Sequence, residues 1–355
     1  MQNKIALEEH FATEESLGDS ALFAPEADWP ELRSRLLDIH EKRLREMDKH
    51  GIELMLLSLN APAVQAIMDP ADASDTARRA NDFLAEQIAR RPTRFQGLAA
   101  IAMQNPDGAA QEARRCVLEL GFRGVLVNGF SDTADSAKPL YYDAPAFRLF
   151  WAELERLDVP FYLHPRNPRP QDAGIYEGHP WLLGPTWAFG QETAVHALRL
   201  MGTGLFDEHP RLQIILGHMG EGLPYSLWRI DNRNKWMSRQ NQYQAKRKIA
   251  DYFRENFHIT TSGNFRTQTL IDAMLEIGAD RILFSADWPF ENIDHAADWF
   301  DNASISEGDR QKIGYGNARK LFKLDSNTKL NSRQRSGDSN QYGRNDHDRC
   351  CDRRS

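Results

Sequence analysis

Four short apolar segments of the chain run into imidazole or carboxylate side chains, the groups that proteins use to bind divalent metals and to transfer protons. These side chains lie at Glu8 to His10, at His164, at His218 to Glu221 and at Asp287. If the four segments are strands of one parallel barrel, their polar ends project from its carboxyl-terminal face, where the active sites of such barrels lie. The sequence therefore predicts one polar site assembled from four separate segments.

Glu8 and His10 are the most informative pair, because residues two apart in a strand point to the same side. Both side chains can therefore aim at one point in the mouth of a barrel. His164 and Asp287, arriving from two other strands, would complete a set of two imidazoles and two carboxylates. Such a set suits Zn²⁺, Mn²⁺ or Fe²⁺, and the residue types alone do not choose among these metals.

The elements that must position these groups alternate between strand-like and helix-like patterns. The eight segments with the length and composition of strands are 4–7, 52–59, 95–101, 124–127, 159–163, 212–216, 257–261 and 281–285. The amphipathic stretches between them include 32–50, 76–90, 107–120, 144–157 and 268–277. Eight such alternations predict an α/β fold of the (β/α)8 TIM-barrel type. A doubly wound open sheet is the alternative, but no glycine-rich phosphate loop follows the first strand.

Composition limits the other possibilities for this chain of 355 residues. We expect a catalytic domain over 1–325 and a polar tail over 326–355, whose scarcity of apolar residues predicts disorder. The net charge of −7 argues against nucleic-acid binding, and the longest apolar runs are far too short to span a membrane. With three cysteines and no signal-like apolar region at its start, the chain is expected in the cytoplasm.

The strand-end motifs resemble the amidohydrolase superfamily over residues 4–325, and within it the branch of nonoxidative aromatic-acid decarboxylases. The motifs that carry the resemblance are Ala6 to Phe11, Phe161 to Pro165, Gly217 to Glu221 and Phe284 to Pro289. Hydrolytic members usually begin with His-x-His, and many hold two metals bridged by a carboxylated lysine after strand four. Here Glu8 takes the first position and Asn128 ends strand four. These departures favour a single metal.

The resemblance implies a role for each candidate residue. The implied ligands of one divalent ion, Mn²⁺ or Zn²⁺, are Glu8, His10, His164 and Asp287. Asp287 would also deliver a proton, and His218 and Glu221 would form a pair beside the metal. Arg229 would meet the carboxylate or phenolate of the substrate. The implied walls of the pocket are Phe23, Asn128 and Phe290. No organic cofactor is expected.

The activity implied is the decarboxylation of a hydroxylated benzoic acid by protonation of the ring. The expected substrate is 2,6-dihydroxybenzoate, which would give resorcinol and CO₂, in a reaction expected to be reversible. A sibling enzyme for 2,3-dihydroxybenzoate, salicylate or 5-carboxyvanillate is the nearest alternative, and a mononuclear hydrolase of a lactone or amide is the next. A noncatalytic barrel that serves as a binding protein is a third alternative. The resemblance also implies a homo-oligomer, either a dimer or a tetramer.

Overall fold

Eight parallel strands follow one another around the sheet in chain order. The strands are β1 (Lys4–Phe11), β2 (Ile52–Leu59), β3 (Phe95–Ala100), β4 (Gly124–Asn128), β5 (Phe161–His164), β6 (Ile214–Leu216), β7 (Phe257–Thr260) and β8 (Ile282–Leu283). Parallel ladders join each strand from β1 to β7 to the next strand along the chain. The predicted (β/α)8 barrel is confirmed, and a doubly wound sheet is excluded because its strand order would reverse.

The computed structural model describes residues 1–134, 138–237 and 243–324, apart from the side chain of Phe23. Met1–Phe322 form one compact unit, which contains all eight strands. The predicted tail over 326–355 lies outside the described residues. Within the described ranges, no helix combines the length and the apolar character needed to cross a membrane.

Helices or turns connect consecutive strands. The helices in the described ranges are α1 (Trp29–Leu37), α2 (Lys42–Lys49), α3 (Pro70–Arg90), α4 (Pro106–Leu118), α5 (Arg148–Leu157), α6 (Ala188–Gly202), α7 (Leu205–Glu208), α8 (His218–Glu221), α9 (Leu223–Met237), α10 (Ile249–Asn256), α11 (Thr267–Ile277), α12 (Ile293–Asn302), α13 (Glu307–Gln311) and α14 (Asn317–Phe322). A π-helical turn, Lys312–Gly316, precedes α14. Short 3-10 turns lie at Leu17–Phe23, Ala63–Ala66, Pro145–Phe147, Pro170–Asp172, Gly174–Tyr176, Pro180–Leu182, Gly184–Thr186 and Ala279–Arg281.

The amphipathic stretch predicted over 32–50 is two helices rather than one. The chain leaves the helical path after α1, and the Asp38 carboxylate accepts the backbone N–H of Glu41 at 3.1 Å and of Arg43 at 3.0 Å. An acceptor at this position satisfies the free N–H groups that begin α2. A pattern of apolar spacing does not reveal such a break, because the buried face continues across it.

The helices hold the strands in place through aromatic and aliphatic contacts. On α5 the side chains of Phe150 and Trp151 are buried, and the Trp151 ring lies 4.9 Å from the ring of Phe161 at the start of β5. Burial of one such side chain contributes about 1.5–3 kcal/mol to folding. Because β5 is only four residues long, this contact helps to fix the position of its last residue, His164.

The sheet approaches closure where β1 meets the residues that follow β8. The backbone N–H of His10 donates to the carbonyl of Trp288 at 2.6 Å, and the Ser285 hydroxyl donates to the carbonyl of Leu7. β8 is shorter than predicted, because the N–H of Ser285 bonds to the hydroxyl of Thr261 at 2.9 Å instead of continuing a ladder. The chain after β8 is thereby directed across the barrel mouth towards β1.

Candidate active site

Four buried side chains converge at the carboxyl-terminal face of the barrel. Glu8, His10, His164 and Asp287 each offer one ligand atom, and these atoms all lie within 4.8 Å of one another. His10 Nε2 is 3.5 Å from Asp287 Oδ1, and His164 Nε2 is 3.5 Å from Glu8 Oε1. The structure therefore brings together all four residues that the sequence predicts as ligands.

The donor set fits a divalent metal ion. In the described ranges, neither Glu8 Oε1 nor His10 Nε2 has a hydrogen-bond partner, although both atoms are buried. A buried polar atom without a partner is costly, and a cation between these atoms would satisfy both. Burial also lowers the pKa of His164 well below its ordinary value, which keeps the ring neutral, the form that binds metals.

A bulge in β1 sets the direction of Glu8. The register with β2 shifts between Ala6 and Glu9, and Glu8 has a φ of 63°, in the left-handed region that non-glycine residues rarely occupy. The alternation of side chains in a regular strand, from which the direction of Glu8 was predicted, is therefore interrupted at Glu8 itself. Glu8 and His10 still converge, because the bulge turns the side chain of Glu8 towards the other ligands.

Two hydroxyl groups hold the Glu8 carboxylate from the barrel interior. Tyr162 donates to Glu8 Oε2, and the hydroxyl of Thr260 donates to the same oxygen at 3.1 Å. Burial and the charge of Glu8 raise the pKa of Tyr162 well above its ordinary value, so the phenol remains a donor. Glu8 Oε1 is left facing the other ligands. Burial raises the pKa of Glu8 itself, a cost that a bound cation would offset.

Asp287 follows β8 in a conformation of similar strain, with a φ of 62°. Burial would raise its pKa, but interactions with His10 and His218 dominate and hold the pKa below the ordinary value for an aspartate. On the far side, Ser58 Oγ lies 3.3 Å from His10 Nδ1, which fixes the ring and leaves Nε2 directed at the site. The ligand atoms are therefore held in position by contacts that surround the site.

His218 and Glu221 form the predicted pair beside the ligand set. His218 Nδ1 is 2.8 Å from Glu221 Oε1, and its Nε2 lies 3.6 Å from Asp287 Oδ2. Residues 218–221 have φ values of 50°, 58°, 79° and 55°, so α8 is a left-handed turn and not a regular helix. Although burial lowers it, the charges of Glu221 and Glu8 raise the pKa of His218 well above the ordinary value.

The residues predicted to contact substrate are placed less uniformly. The Phe290 ring lies 5.6 Å from the His10 ring in an edge-on arrangement, beside the site. The amide nitrogen of Asn128 donates to the carbonyl of Asn60 at 3.1 Å, while in the described ranges its buried oxygen has no partner. Arg229 is exposed on α9, and the side chain of Phe23 lies outside the described atoms.

A cavity of about 300 Å³ opens on the same face of the barrel, between the segments that follow β1, β2, β4 and β5. Its lining includes the buried side chains of Arg166 and Arg169 but none of the four predicted ligands. The position of the site is therefore inferred from the convergence of ligand atoms and not from the shape of this cavity.

Glu9, which has no predicted role, is fully buried between two predicted ligands. Its carboxylate accepts the backbone N–H of Ala286 at 2.8 Å and of Trp288 at 3.1 Å. Burial raises the pKa of Glu9, but the Ala286 N–H and the charge of Arg43 oppose this rise and favour the carboxylate form. Consecutive charged residues inside a buried strand were the available signal, since charges are rarely buried without a partner.

Comparisons with known proteins agree with this fold. The family model described as amidohydrolase matches residues 21–324. The chain therefore belongs to the amidohydrolase family.

One similar protein and two similar crystal structures give a more specific placement. The chain is 73% identical to the gamma-resorcylate decarboxylase of Polaromonas sp. (strain JS666 / ATCC BAA-500) over 324 residues, which cover 91% of this chain and 99% of that protein. A crystal structure of a 2,6-dihydroxybenzoate decarboxylase complexed with 2,6-dihydroxybenzoate matches with 70% identity and a TM-score of 0.89, covering 91% of this chain and 100% of the other. A second crystal structure is that of a dihydroxybenzoic acid decarboxylase from Polaromonas sp. JS666, with bound manganese and the inhibitor 2-nitroresorcinol. It matches with 72% identity and a TM-score of 0.91, and the match covers 93% of this chain and 99% of the other. Within the amidohydrolase family, the chain groups with the gamma-resorcylate decarboxylases.

Proposed function

We propose that this protein catalyses the nonoxidative decarboxylation of 2,6-dihydroxybenzoate (γ-resorcylate) to resorcinol and CO₂, with one divalent metal ion. The observation that carries the proposal is the buried convergence of Glu8, His10, His164 and Asp287. Relatives at 70% to 73% identity that bear this activity in their names support the choice of substrate over its isomers. The protein is accordingly a carboxy-lyase.

The chemistry of the substrate explains why a proton donor and a polar site are needed. Loss of CO₂ from an unmodified benzoate would leave a carbanion in the plane of the ring, where it cannot delocalise. Protonation of the ring carbon that bears the carboxylate comes first, and the carbon–carbon bond then breaks as the ring regains its aromaticity. Overall, the ring gains one proton for each CO₂ that it loses. Hydroxyl groups ortho to that carbon make it more nucleophilic.

Glu8, His10, His164 and Asp287 are the residues that would hold the metal. When bound, a divalent ion supplies Lewis-acid and template chemistry for the phenolic and carboxylate oxygens of the substrate. We favour Mn²⁺ because a relative's structure contains manganese, with Zn²⁺ as the alternative that the same donor types accept. The proposed reaction requires no organic cofactor, because the ring itself accepts the electron pair.

Asp287 is the proposed proton donor to the ring. His218 is proposed to supply this proton because, although burial lowers its pKa, the charges of Glu221 and Glu8 raise it. His218 Nε2 is 3.6 Å from Asp287 Oδ2, so a small movement allows transfer between them. Glu221 fixes the other ring nitrogen and stabilises the charged imidazolium. Together these three residues would deliver one proton per turnover.

Four residues are proposed to contact the substrate, and the structure supports them unequally. Phe290 is the best supported, because its ring already lies against His10. Asn128 has a buried oxygen that a substrate hydroxyl would satisfy. Arg229 is proposed to meet a substrate oxygen, and Phe23 is proposed as a wall of the pocket.

We also propose that the protein is a homo-oligomer, a dimer or a tetramer, in the cytoplasm. Helix α9 exposes Tyr225, Trp228 and Trp236, with 87%, 73% and 70% of each residue accessible. An aromatic surface of this kind is typical of a contact between subunits. Cys116 is a free buried thiol, and the whole chain has three cysteines, which suits a reducing compartment.

The direct test measures metal content and substrate conversion in the purified protein. Absorbance would follow 2,6-dihydroxybenzoate, its 2,3- and 2,4-isomers and salicylate, before and after chelation and after return of Mn²⁺ or Zn²⁺. We expect metal-dependent formation of resorcinol from the 2,6-isomer and much weaker conversion of the others. Faster turnover of another acid would show that the proposed substrate is wrong. Hydrolysis of lactones without any decarboxylation would show that the proposed reaction is wrong.

A further inference from the structure

Glu9 connects the first strand of the barrel to the segment that carries Asp287. Its Oε1 accepts the N–H of Ala286 at 2.8 Å, and its Oε2 accepts the N–H of Trp288 at 3.1 Å. These two residues lie immediately before and after Asp287 in the chain. A single carboxylate therefore accepts hydrogen bonds from the backbone on both sides of a proposed metal ligand.

The backbone at Asp287 needs such support. A φ of 62° is unfavourable for an aspartate, and it persists only when surrounding contacts enforce it. A third contact closes the arrangement, because the N–H of His10 donates to the carbonyl of Trp288 at 2.6 Å. The segment that follows β8 is thus tied to β1 at two consecutive residues of that strand, Glu9 and His10.

The position of Glu9 excludes a direct part in chemistry. Its carboxylate does not belong to the four-residue ligand cluster, and both of its oxygens are engaged by backbone N–H groups. Arg43 of α2 lies fully buried behind the strand and donates to the carbonyl of His10, so a positive charge balances Glu9 in the interior. The side chain acts on the site only through the backbone that it holds.

We propose that Glu9 is a positioning residue, which holds Asp287 in the orientation that binds the metal and reaches the substrate. This inference rests on the proposed function, in which Asp287 has both tasks. Without the two hydrogen bonds that Glu9 accepts, Asp287 would relax towards an ordinary backbone conformation, and its carboxylate would move away from the other ligands. The effect of Glu9 is therefore on metal affinity and turnover, and not only on folding.

Glu9→Gln tests the proposal, because a glutamine has one acceptor oxygen and meets the second N–H with its own N–H group. The manganese-loaded protein would be titrated with a competing chelator, and free Mn²⁺ would be measured by electron paramagnetic resonance. We expect metal affinity to fall about 10- to 100-fold, the range typical when residues that orient ligands are changed. At saturating Mn²⁺, kcat should fall more than KM rises.

Glu155→Gln is the matched control, since it makes the same substitution at another largely buried carboxylate. Glu155 Oε1 accepts the N–H of Arg211 at 2.9 Å, shortly before β6 begins and hence at the opposite end of the barrel. This variant should lower the melting temperature while it leaves Mn²⁺ affinity and kcat as in the parent protein. If Glu9→Gln behaves in the same way, with wild-type affinity for Mn²⁺, the positioning role is overturned.

Glu9→Asp provides a second route if the glutamine variant fails to fold. It keeps the negative charge near Arg43 but is one methylene too short to reach both N–H groups, so the same loss of affinity is expected. Retained affinity in a folded Glu9→Asp protein would also overturn the proposal. Mn²⁺ affinity is measured without substrate. If the proposed decarboxylation is wrong, the parent protein will lack that activity, and this outcome is distinct from an unchanged Mn²⁺ affinity in the Glu9 variants.

Discussion

Asp287 is the residue at which metal binding and proton delivery would meet, so its substitution separates the two tasks. In Asp287→Asn the amide oxygen can still occupy a ligand position, but the side chain can no longer donate an acidic proton. We expect kcat to fall about 10²- to 10⁴-fold, the usual contribution of a general acid. Metal content by mass spectrometry serves as a control, as does binding of 2-nitroresorcinol, the inhibitor in the relative's structure, if the parent protein binds it. Turnover close to that of the parent protein, with metal and inhibitor bound, would rule out the donor role.

His218 tests the supply of the proton. Its Nε2 lies 3.6 Å from Asp287 and its Nδ1 is fixed by Glu221 at 2.8 Å. His218→Ala should leave the metal content unchanged and lower kcat about 10²-fold or more. Glu221→Gln keeps an acceptor for the ring and should cost less than removal of the ring itself. Loss of metal in His218→Ala would instead indicate that His218 is a ligand.

At this scale, the sequence was sufficient to gather the proposed ligands but not the residues that hold them. These four ligands could be found because each comes directly after or close to the end of an apolar segment and carries a metal-binding group. Tyr162 and Glu9 could not be assigned in the same way, because their roles arise from contacts between residues distant in the chain. Tyr162, for example, reaches Glu8 across a separation of 154 residues.

At the scale of elements, the approach of the turn after β6 to β1 sets the space around Glu8. A methyl group added at Gly217 would lie 2.7 Å from Glu8 Oε1, so one or the other must move. We expect Gly217→Ala to weaken Mn²⁺ binding at least about 10-fold, as for other changes that disturb ligand orientation. Gly174→Ala is the control, because nothing lies within 4 Å of its added methyl group. Equal affinities in the two variants, measured by chelator competition, would show that Glu8 adapts freely.

The same elements show where strand and helix patterns stop being informative. The order and approximate bounds of all eight strands follow from apolar segments. For β2, the observed strand begins and ends at the predicted residues. The bulge at Glu8, the early end of β8 and the break at Asp38 depend on side-chain hydrogen bonds and local φ values. Such details decide the direction of functional side chains, yet they leave no periodic signal in the sequence.

For the whole molecule, a buried neutral histidine predicts loss of stability in acid. His196 Nε2 accepts the N–H of Tyr142 at 3.2 Å, and burial lowers the pKa of His196 to about 3. The unfolded chain therefore binds a proton between pH 6.5 and about 3 that the folded protein does not, and stability falls as pH falls through that range. His196→Gln keeps an acceptor and should reduce this slope by about 1.4 kcal/mol per pH unit. Urea unfolding of the metal-loaded protein at several pH values measures this slope. Substitution of an exposed histidine, His295→Gln, is the control. An unchanged slope in His196→Gln would contradict the prediction.

The boundary of the catalytic domain can be tested on the intact scaffold. The compact unit ends at Phe322, the amidohydrolase match ends at residue 324, and the 324 residues shared with the Polaromonas protein cover 99% of it. All proposed ligands and the residues that hold them precede this point. A variant that ends at residue 325 should therefore keep its kcat/KM and its elution volume, and its free energy of unfolding should change by less than about 0.5 kcal/mol. Altered assembly or reduced turnover in that variant would assign a function to residues 326–355, and the catalytic domain would then have to be extended to include them.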